Sequence, residues 1–144
     1  MSTPTITYDF PTGTLHGQYG HIEHTRLGYM RDGVFLGATF GWKGDGTGVG
    51  SVADFTFDQY DKETKERIPT VAFAYWIRDL LAVMGVDSWE ALDGKPVITL
   101  WDSKHSWGGT CKGIANPATN KVMVWDTWWT EVGKPLIATE TSAA

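Results

Sequence analysis

The sequence predicts an α+β fold in which an antiparallel β-sheet core carries one main helix and one short helix. Two observations support this fold class. Short runs of alternating apolar and polar residues, separated by turn residues, occupy both ends of the chain, and a single central stretch shows apolar residues at helical spacing. The 144 residues are the usual size of one domain and can bury a sizeable core. We therefore expect one domain spanning residues 1–144.

The first third of the chain is predicted to be β-structure. Residues 1–19 are rich in threonine, proline and glycine, and we expect an N-terminal arm or a loose first strand there. Residues 21–30 and 34–42 alternate in part, and Arg31-Asp32-Gly33 between them supplies turn chemistry, because glycine after aspartate tolerates positive φ. The pattern predicts a β-hairpin over residues 21–42, followed by a third strand that contains Val52, Phe55 and Phe57.

One segment, Thr70 to Met84, is predicted to be the main helix. Thr70 can cap its start, and Gly85 can end it in the left-handed conformation. Ser88 can cap a short second helix that Asp93-Gly94 ends. The apolar residues that share one face of the main helix are Phe73, Ile77, Leu80, Leu81 and Met84.

Three further strands are predicted near the C-terminus, over residues 96–101, 110–115 and 122–128. These three strands follow the predicted helices, and strands on both sides of the helices are typical of an antiparallel α+β domain. Residues 133–144 are small and polar, and we expect a flexible tail there.

Charge and composition limit the partners. The formal net charge is −5, from 17 acidic and 12 basic residues, which opposes binding to a nucleic-acid polymer. No apolar run approaches the roughly 20 residues of a membrane-spanning helix, and the N-terminal residues do not resemble a secretory signal. One cysteine, Cys111, offers neither an internal disulfide nor a pair of metal ligands. These features favour a cytosolic protein with no membrane partner.

The sequence predicts no catalytic residue, no metal and no cofactor, and therefore not an enzyme. His21 and His24 are three residues apart, and on a strand they would point to opposite faces, which is poor geometry for a shared metal. Cys111 follows Gly109-Thr110 and precedes Lys112, but no paired base is visible. The carboxylates are scattered, and none is marked as half of a glycosidase pair.

Glycine and tryptophan suggest a binding role instead. Gly44, Gly46, Gly48 and Gly50 alternate in a spacing that matches no nucleotide-binding loop. This loop is either a long hairpin connection or a backbone platform for a ligand, with Trp42 and Lys43 at its edge. The chain has eight tryptophans, five of them in its last third. On a strand, Trp125 and Trp129 would share one face and Trp128 the other, so some rings are expected at an oligomer interface or a stacking site.

Three stretches resemble a family of small phage proteins: DFTFDQYD at residues 54–61, VMGVDSWEALDGKPV at 83–97, and GGTCKGIAN at 108–116. The similarity covers about residues 34–128. The family is that of phage anti-defence sponges of the Thoeris anti-defence type. The resemblance implies a homo-oligomer in the host bacterial cytoplasm that sequesters a cyclic nucleotide immune signal, of the cyclic ADP-ribose type or a cyclic oligonucleotide, without cleaving it. The longer N-terminal arm, and tryptophan where phenylalanine or tyrosine is expected, depart from the family pattern.

Such a ligand presents bases and phosphates, and it needs aromatic faces, a few cations and an amide for base edges. Two alternatives remain open. A carbohydrate-binding or virion structural module would also be rich in tryptophan and β-structure, and a small hydrolase or phosphodiesterase would need metal ligands or a histidine pair. The residues predicted to bind the ligand are Trp42, Lys43, Tyr75, Trp76, Arg78, Trp107, Lys112, Asn116 and Trp128.

Overall fold

The computed structural model describes residues 6–30, 35–44, 49–56, 58–104 and 109–143. Within these ranges the chain forms strands, α-helices and two short helical turns. The strands are β1 (Ile6–Phe10), β2 (Gly13–Met30), β3 (Phe35–Gly44), β4 (Val49–Thr56), β5 (Asp58–Asp61), β6 (Glu66–Pro69), β7 (Pro96–Trp101), β8 (Cys111–Ala115) and β9 (Val122–Val124). The α-helices are α1 (Val71–Met84), α2 (Trp125–Trp128) and α3 (Lys134–Ala143), with a 3₁₀ turn at Glu90–Leu92 and a π-helical turn at Trp129–Gly133.

The strands pair antiparallel throughout the main sheet, whose order is β4-β3-β2-β7-β8-β9 with β1 paired to β2. Strands β5 and β6 form a separate two-stranded hairpin that leads into α1. This architecture confirms the predicted α+β class, an antiparallel core with one main helix and a short one.

Strand β2 is 18 residues long and pairs with three other strands. It pairs with β1 over Gly13–Gly17, with β7 over His16–His21, and with β3 over Gly20–Met30. Because the β7 pairing overlaps both others, β7 lies on one edge of β2 while β1 and β3 share the opposite edge. The described part of the expected N-terminal arm is therefore a paired hairpin within the sheet.

The hairpin predicted over residues 21–42 is confirmed by the β2–β3 pairing, although its predicted turn, residues 31–33, lies outside the described residues. The register of the hairpin shifts between Glu23 and Arg26, where His24 has a φ of +53°. The third strand is also confirmed as β4, which pairs with β3; its predicted member Phe57 is not among the described residues.

Helix α1 begins and ends as predicted, but its buried face differs. Gly85 has φ +68° and ψ +33°, the left-handed stop that only glycine adopts readily. Thr70 is the N-cap residue, as predicted, but its side chain makes no cap hydrogen bond. Trp76 is fully buried at the centre of the buried face, whereas Phe73, Ile77 and Leu81 flank it partly buried. The buried residues are Ala72, Trp76, Leu80 and Met84.

The predicted short helix is present as the 3₁₀ turn. The hydroxyl Oγ of Ser88 accepts a hydrogen bond of 3.2 Å from the backbone N–H of Ala91. Gly94 follows the turn with a φ of +82°, which provides the stop that the sequence predicted.

The C-terminal prediction is wrong after Val124. The chain leaves the sheet there, and residues 125–143 form a C-terminal helical segment of α2, the π-helical turn and α3. Trp125 and Trp128 are three apart on a helix and not on opposite faces of a strand, and their rings lie 6.1 Å from Trp76 and 5.9 Å from Phe55 respectively. The expected tail is helical because Leu136 and Ile137 pack against the core.

The two faces of the sheet carry separate apolar clusters, because alternate residues of β7 point to opposite sides. Val97 and Trp101 belong to the main core beneath α1, which is rich in aromatic rings. Ile98 and Leu100 belong to a smaller cluster that side chains of β1 help to cover. Across the ranges described, no helix is long and apolar enough to cross a membrane.

Candidate functional site

A cleft of about 660 Å³ lies between the β1–β2 turn and the point where β9 passes into α2. The turn forms one wall, with Gly13 at a φ of +141°, and the first residues of the C-terminal helical segment form the other. We call this cavity the turn–helix cleft. It is lined by Phe10, Pro11, Thr12, Gly13, Thr14, Leu15, Asp102, Lys112, Val124, Asp126, Thr127, Thr130 and Glu131.

The turn–helix cleft combines a partly buried apolar surface with polar groups. Phe10, Leu15 and Val124 are half-buried and supply the apolar part. Thr127 and Thr130 lie on the helical wall and are exposed. An apolar surface with a few directed polar groups is the usual composition of a small-molecule site.

Charges in the cleft are mainly negative. Among the described residues that line the cleft, Lys112 is the one cation, and its Nζ lies 3.8 Å from the Oδ2 of Asp126. Asp102 and Glu131 add two further carboxylates, and Asp102 accepts a hydrogen bond of 2.7 Å from the backbone N–H of Thr110. In the described part of the lining, three carboxylates against one ammonium give an acidic balance.

Cys111 lies beside Lys112 in β8, but its thiol is not activated. Its side chain is buried, and its Sγ donates a weak hydrogen bond of 3.3 Å to the carbonyl of Gly113. Desolvation raises the pKa of the Cys111 thiol to about 11. The neutral thiol therefore predominates at neutral pH, and Cys111 is poorly suited to act as a nucleophile there.

Two predicted ligand-binding tryptophans are part of the core. Trp42 is 3% exposed, with its ring 5.8 Å from that of Trp101, and Trp76 is fully buried, with its ring stacked 4.7 Å from Phe55. Neither ring offers a face to a ligand in this conformation. Lys43, next to Trp42, is exposed on β3 and does not line the turn–helix cleft.

Three predicted residues meet around α1. The guanidinium carbon of Arg78 lies 4.4 Å from the ring centroid of Tyr75, and the Nε of Arg78 donates to Asp79 at 2.9 Å. The indole N–H of Trp128 donates to the other oxygen of Asp79 at 2.8 Å. Trp128 is 7% exposed and lines a smaller cavity of about 180 Å³ on another side of the helical segment.

Asn116 has a structural role in this fold. Its Nδ2 donates to the carbonyl of Val83 at 3.0 Å, and its Oδ1 accepts from the N–H of Ala118 at 2.9 Å. The side chain thus ties the end of α1 to the β8–β9 turn, and its amide is occupied within the protein. Trp107, the remaining predicted residue, lies outside the described residues.

Of the predicted residues, Lys112 alone lines the turn–helix cleft among those described. The sequence does not single out Thr127, Thr130 or Glu131 as site residues. Thr127 falls within the predicted strand 122–128, and Thr130 and Glu131 follow it outside any predicted element. A usable signal was present: apolar residues at helical spacing in that segment indicate a helix. They are Trp125, Trp128, Val132 and Leu136.

Metal-ligating residues do not cluster in the described part of the chain, where no group of three histidine, cysteine, aspartate or glutamate side chains could hold an ion. Comparison with known proteins finds no match to this chain among protein-family models, curated proteins or solved structures. The resemblance to phage anti-defence sponges therefore stays a prediction.

Proposed function

We propose that the protein binds a small ligand in the turn–helix cleft without converting it. The cleft itself is the observation that carries this proposal, because about 660 Å³ lies within the range of small-molecule sites. The described residues that line it include neither a histidine nor a cysteine, and the neighbouring thiol of Cys111 is neutral at physiological pH. Binding is the role that this lining supports best.

The ligand that the family resemblance implies is a cyclic nucleotide immune signal, sequestered in the host bacterial cytoplasm during phage infection. Lys112 supports this proposal as the cation that a phosphate would meet in the cleft. The resemblance also implies a homo-oligomer, which a set of exposed apolar side chains supports. These are Tyr29, Tyr60, Ile68, Val71 and Trp129.

A carbohydrate is the second candidate ligand, and the acidic balance of the cleft favours it. Carboxylates accept hydrogen bonds from sugar hydroxyls, and threonine hydroxyls both accept and donate them, whereas three carboxylates repel a phosphate. The two ligand classes therefore differ in their dependence on Lys112. Replacing Lys112 should weaken the binding of a phosphate-bearing ligand far more than the binding of a neutral sugar.

Calorimetry with both classes tests the proposal. The panel contains cyclic ADP-ribose isomers, cyclic dinucleotides, cyclic trinucleotides and neutral oligosaccharides, measured with the wild type, Lys112→Ala and the control Lys43→Ala. Any bound compound should return unchanged, as judged by mass spectrometry, after the protein is heat-denatured. Recovery of a linearised or hydrolysed product would show an enzyme. Binding to no member of the panel would refute the cleft as a site for these ligands.

A further inference from the structure

We propose that the turn–helix cleft recognises the vicinal hydroxyl groups of a sugar ring, supplied either by a ribose or by a hexose. This inference rests on the proposed function, since it assigns the chemistry by which the same cleft holds its ligand. It concerns the part of the ligand that enters the cleft, and it applies equally to a nucleotide and to a carbohydrate.

The helical wall of the cleft presents polar groups that the fold leaves available. Thr127 lies in α2, and Thr130 and Glu131 lie in the following π-helical turn, so the three occupy positions i, i+3 and i+4. All three line the cleft and are exposed. Within the described ranges their side chains form no hydrogen bond with another part of the protein. Two hydroxyls and a carboxylate are therefore free to contact a ligand.

The carboxylate and the two threonine hydroxyls can form hydrogen bonds with both hydroxyl groups of a vicinal diol. A carboxylate has two oxygens and can accept a hydrogen bond from each of two neighbouring hydroxyls, which is how an acidic residue holds ribose in dinucleotide-binding folds. A threonine hydroxyl both donates and accepts, so it can satisfy a further ring hydroxyl. The arrangement of Glu131 beside Thr127 and Thr130 supplies both kinds of partner on one wall.

The opposite part of the cleft suits the carbon skeleton of the ring. On the wall formed by the β1–β2 turn, Phe10 and Leu15 provide half-buried apolar surface that the C–H face of a sugar can cover. A sugar therefore finds an apolar surface on one side and hydrogen-bonding partners on the other.

Charge argues against phosphate as the group that enters deepest. Lys112 is already 3.8 Å from Asp126, and Asp102 and Glu131 contribute two further negative charges. A phosphate would meet a surface of its own sign, whereas a hydroxyl meets hydrogen-bond acceptors. A nucleotide is therefore expected to insert its ribose and to keep its phosphates towards the mouth of the cleft.

The test compares ligands that differ only in hydroxyl groups. Adenosine, 2′-deoxyadenosine and 2′,3′-dideoxyadenosine probe the ribose source, and methyl glucoside and methyl mannoside probe the hexose source, each titrated by calorimetry or ligand-observed NMR. The proteins are the wild type, Glu131→Gln, Thr130→Val and the control Glu66→Gln, an exposed carboxylate on β6 outside the cleft. Thermal melts show that each variant is folded.

Adenosine or a methyl glycoside should bind, and Glu131→Gln and Thr130→Val should each weaken that binding about tenfold, the effect of one lost hydrogen bond. The control should bind as the wild type does, and dideoxyadenosine should bind at least tenfold more weakly than adenosine. Equal binding of adenosine and dideoxyadenosine, or no binding of any sugar probe, would overturn the inference. Cyclic nucleotides that still bind in that case would leave the proposed function standing, so the two failures are distinguishable.

Discussion

Asp79 and Trp128 join the main helix to the C-terminal helical segment through one hydrogen bond. The indole Nε1 of Trp128 donates to the Oδ2 of Asp79 at 2.8 Å, although the two residues are 49 positions apart. The other carboxylate oxygen accepts from the Nε of Arg78 on the exposed side. Because the Trp128 ring is nearly buried, Asp79 supplies a partner that water cannot easily replace.

Asp79→Ala should lower the free energy of unfolding by about 1 to 3 kcal/mol, because it leaves the indole N–H of Trp128 unsatisfied. Asp79→Asn keeps an acceptor oxygen and should recover most of that loss. Arg78→Ala is the matched control and should leave the free energy of unfolding nearly unchanged, since Arg78 lies at the surface. Urea unfolding measures all three. A loss with Arg78→Ala as large as with Asp79→Ala would contradict this assignment.

Asn116 and Lys112 were predicted to act together on a ligand, and the structure predicts different effects for them. Asn116→Ala should cost about 1 to 3 kcal/mol of stability, because it removes the hydrogen bonds to Val83 and Ala118. Lys112→Ala should leave stability within about 0.5 kcal/mol, because its ion pair with Asp126 is exposed. Thermal melts and ligand titrations of both variants separate the two roles. If Asn116→Ala keeps the stability of the wild type but no longer binds the ligand, Asn116 contacts the ligand and the structural role is wrong.

The thiol of Cys111 should make stability depend on alkaline pH. Desolvation raises its pKa from an ordinary 9.0 to about 11, so the folded state favours the neutral thiol. The contribution of the buried thiol to the free energy of unfolding is fully present below pH 9. It is lost as the pH rises towards 11, and the total loss is about 2 to 3 kcal/mol. Urea unfolding of the wild type and of Cys111→Ala between pH 8 and pH 11 measures it. Burial also raises the pKa of Tyr8, but that contribution is common to both proteins and cancels. Identical pH dependence in the two proteins would refute the prediction.

Self-association should depend on the β5–β6 hairpin. Tyr60 and Ile68 lie on it and are 56% and 45% exposed, so the hairpin offers apolar side chains to a partner chain. Light scattering at micromolar concentration should give at least twice the chain mass of 15.9 kDa, and Ile68→Lys should reduce it. Lys62→Ala, a change of an exposed polar side chain in the turn of the same hairpin, serves as the control. A monomeric wild type would count against the homo-oligomer.

The sequence correctly predicted those features of the fold that depend on a few neighbouring residues, such as the ends of helices. Gly85 ends α1 in the left-handed conformation, and the Oγ of Ser88 accepts a hydrogen bond from the N–H of Ala91 in the short helix, because glycine conformation and such local hydrogen bonds depend on a few neighbouring residues. The end of β9 was missed for a different reason. The residues after Val124 include bulky aromatics that suit strands, and it is packing of Trp125 and Trp128 against Trp76 and Phe55 that favours the helix.

The candidate site was harder to predict because the sequence does not show whether an aromatic side chain is buried in the core or exposed to a ligand. Trp42 and Trp76 have the ring faces that a base would stack on, yet the fold uses both inside the core. The walls of the turn–helix cleft come from residues 10–15 and 124–131, which are distant in sequence and have no shared motif. Their meeting is a consequence of tertiary structure and could not be inferred from spacing.

The three-partner role of β2 has a consequence for biosynthesis. On the ribosome, β1 and β3 can pair with one edge of β2 early, but the other edge stays unpaired until β7 has been synthesised. The hydrogen bond from Thr99 of β7 to Gln18 of β2 joins residues that are 81 positions apart. At 5 to 20 residues per second, roughly 4 to 16 s pass between the two segments. During that interval the nascent chain carries an unpaired strand edge, the structure on which chains add to one another. Slower translation between β3 and β7 should therefore lower the yield of folded protein and increase chaperone engagement.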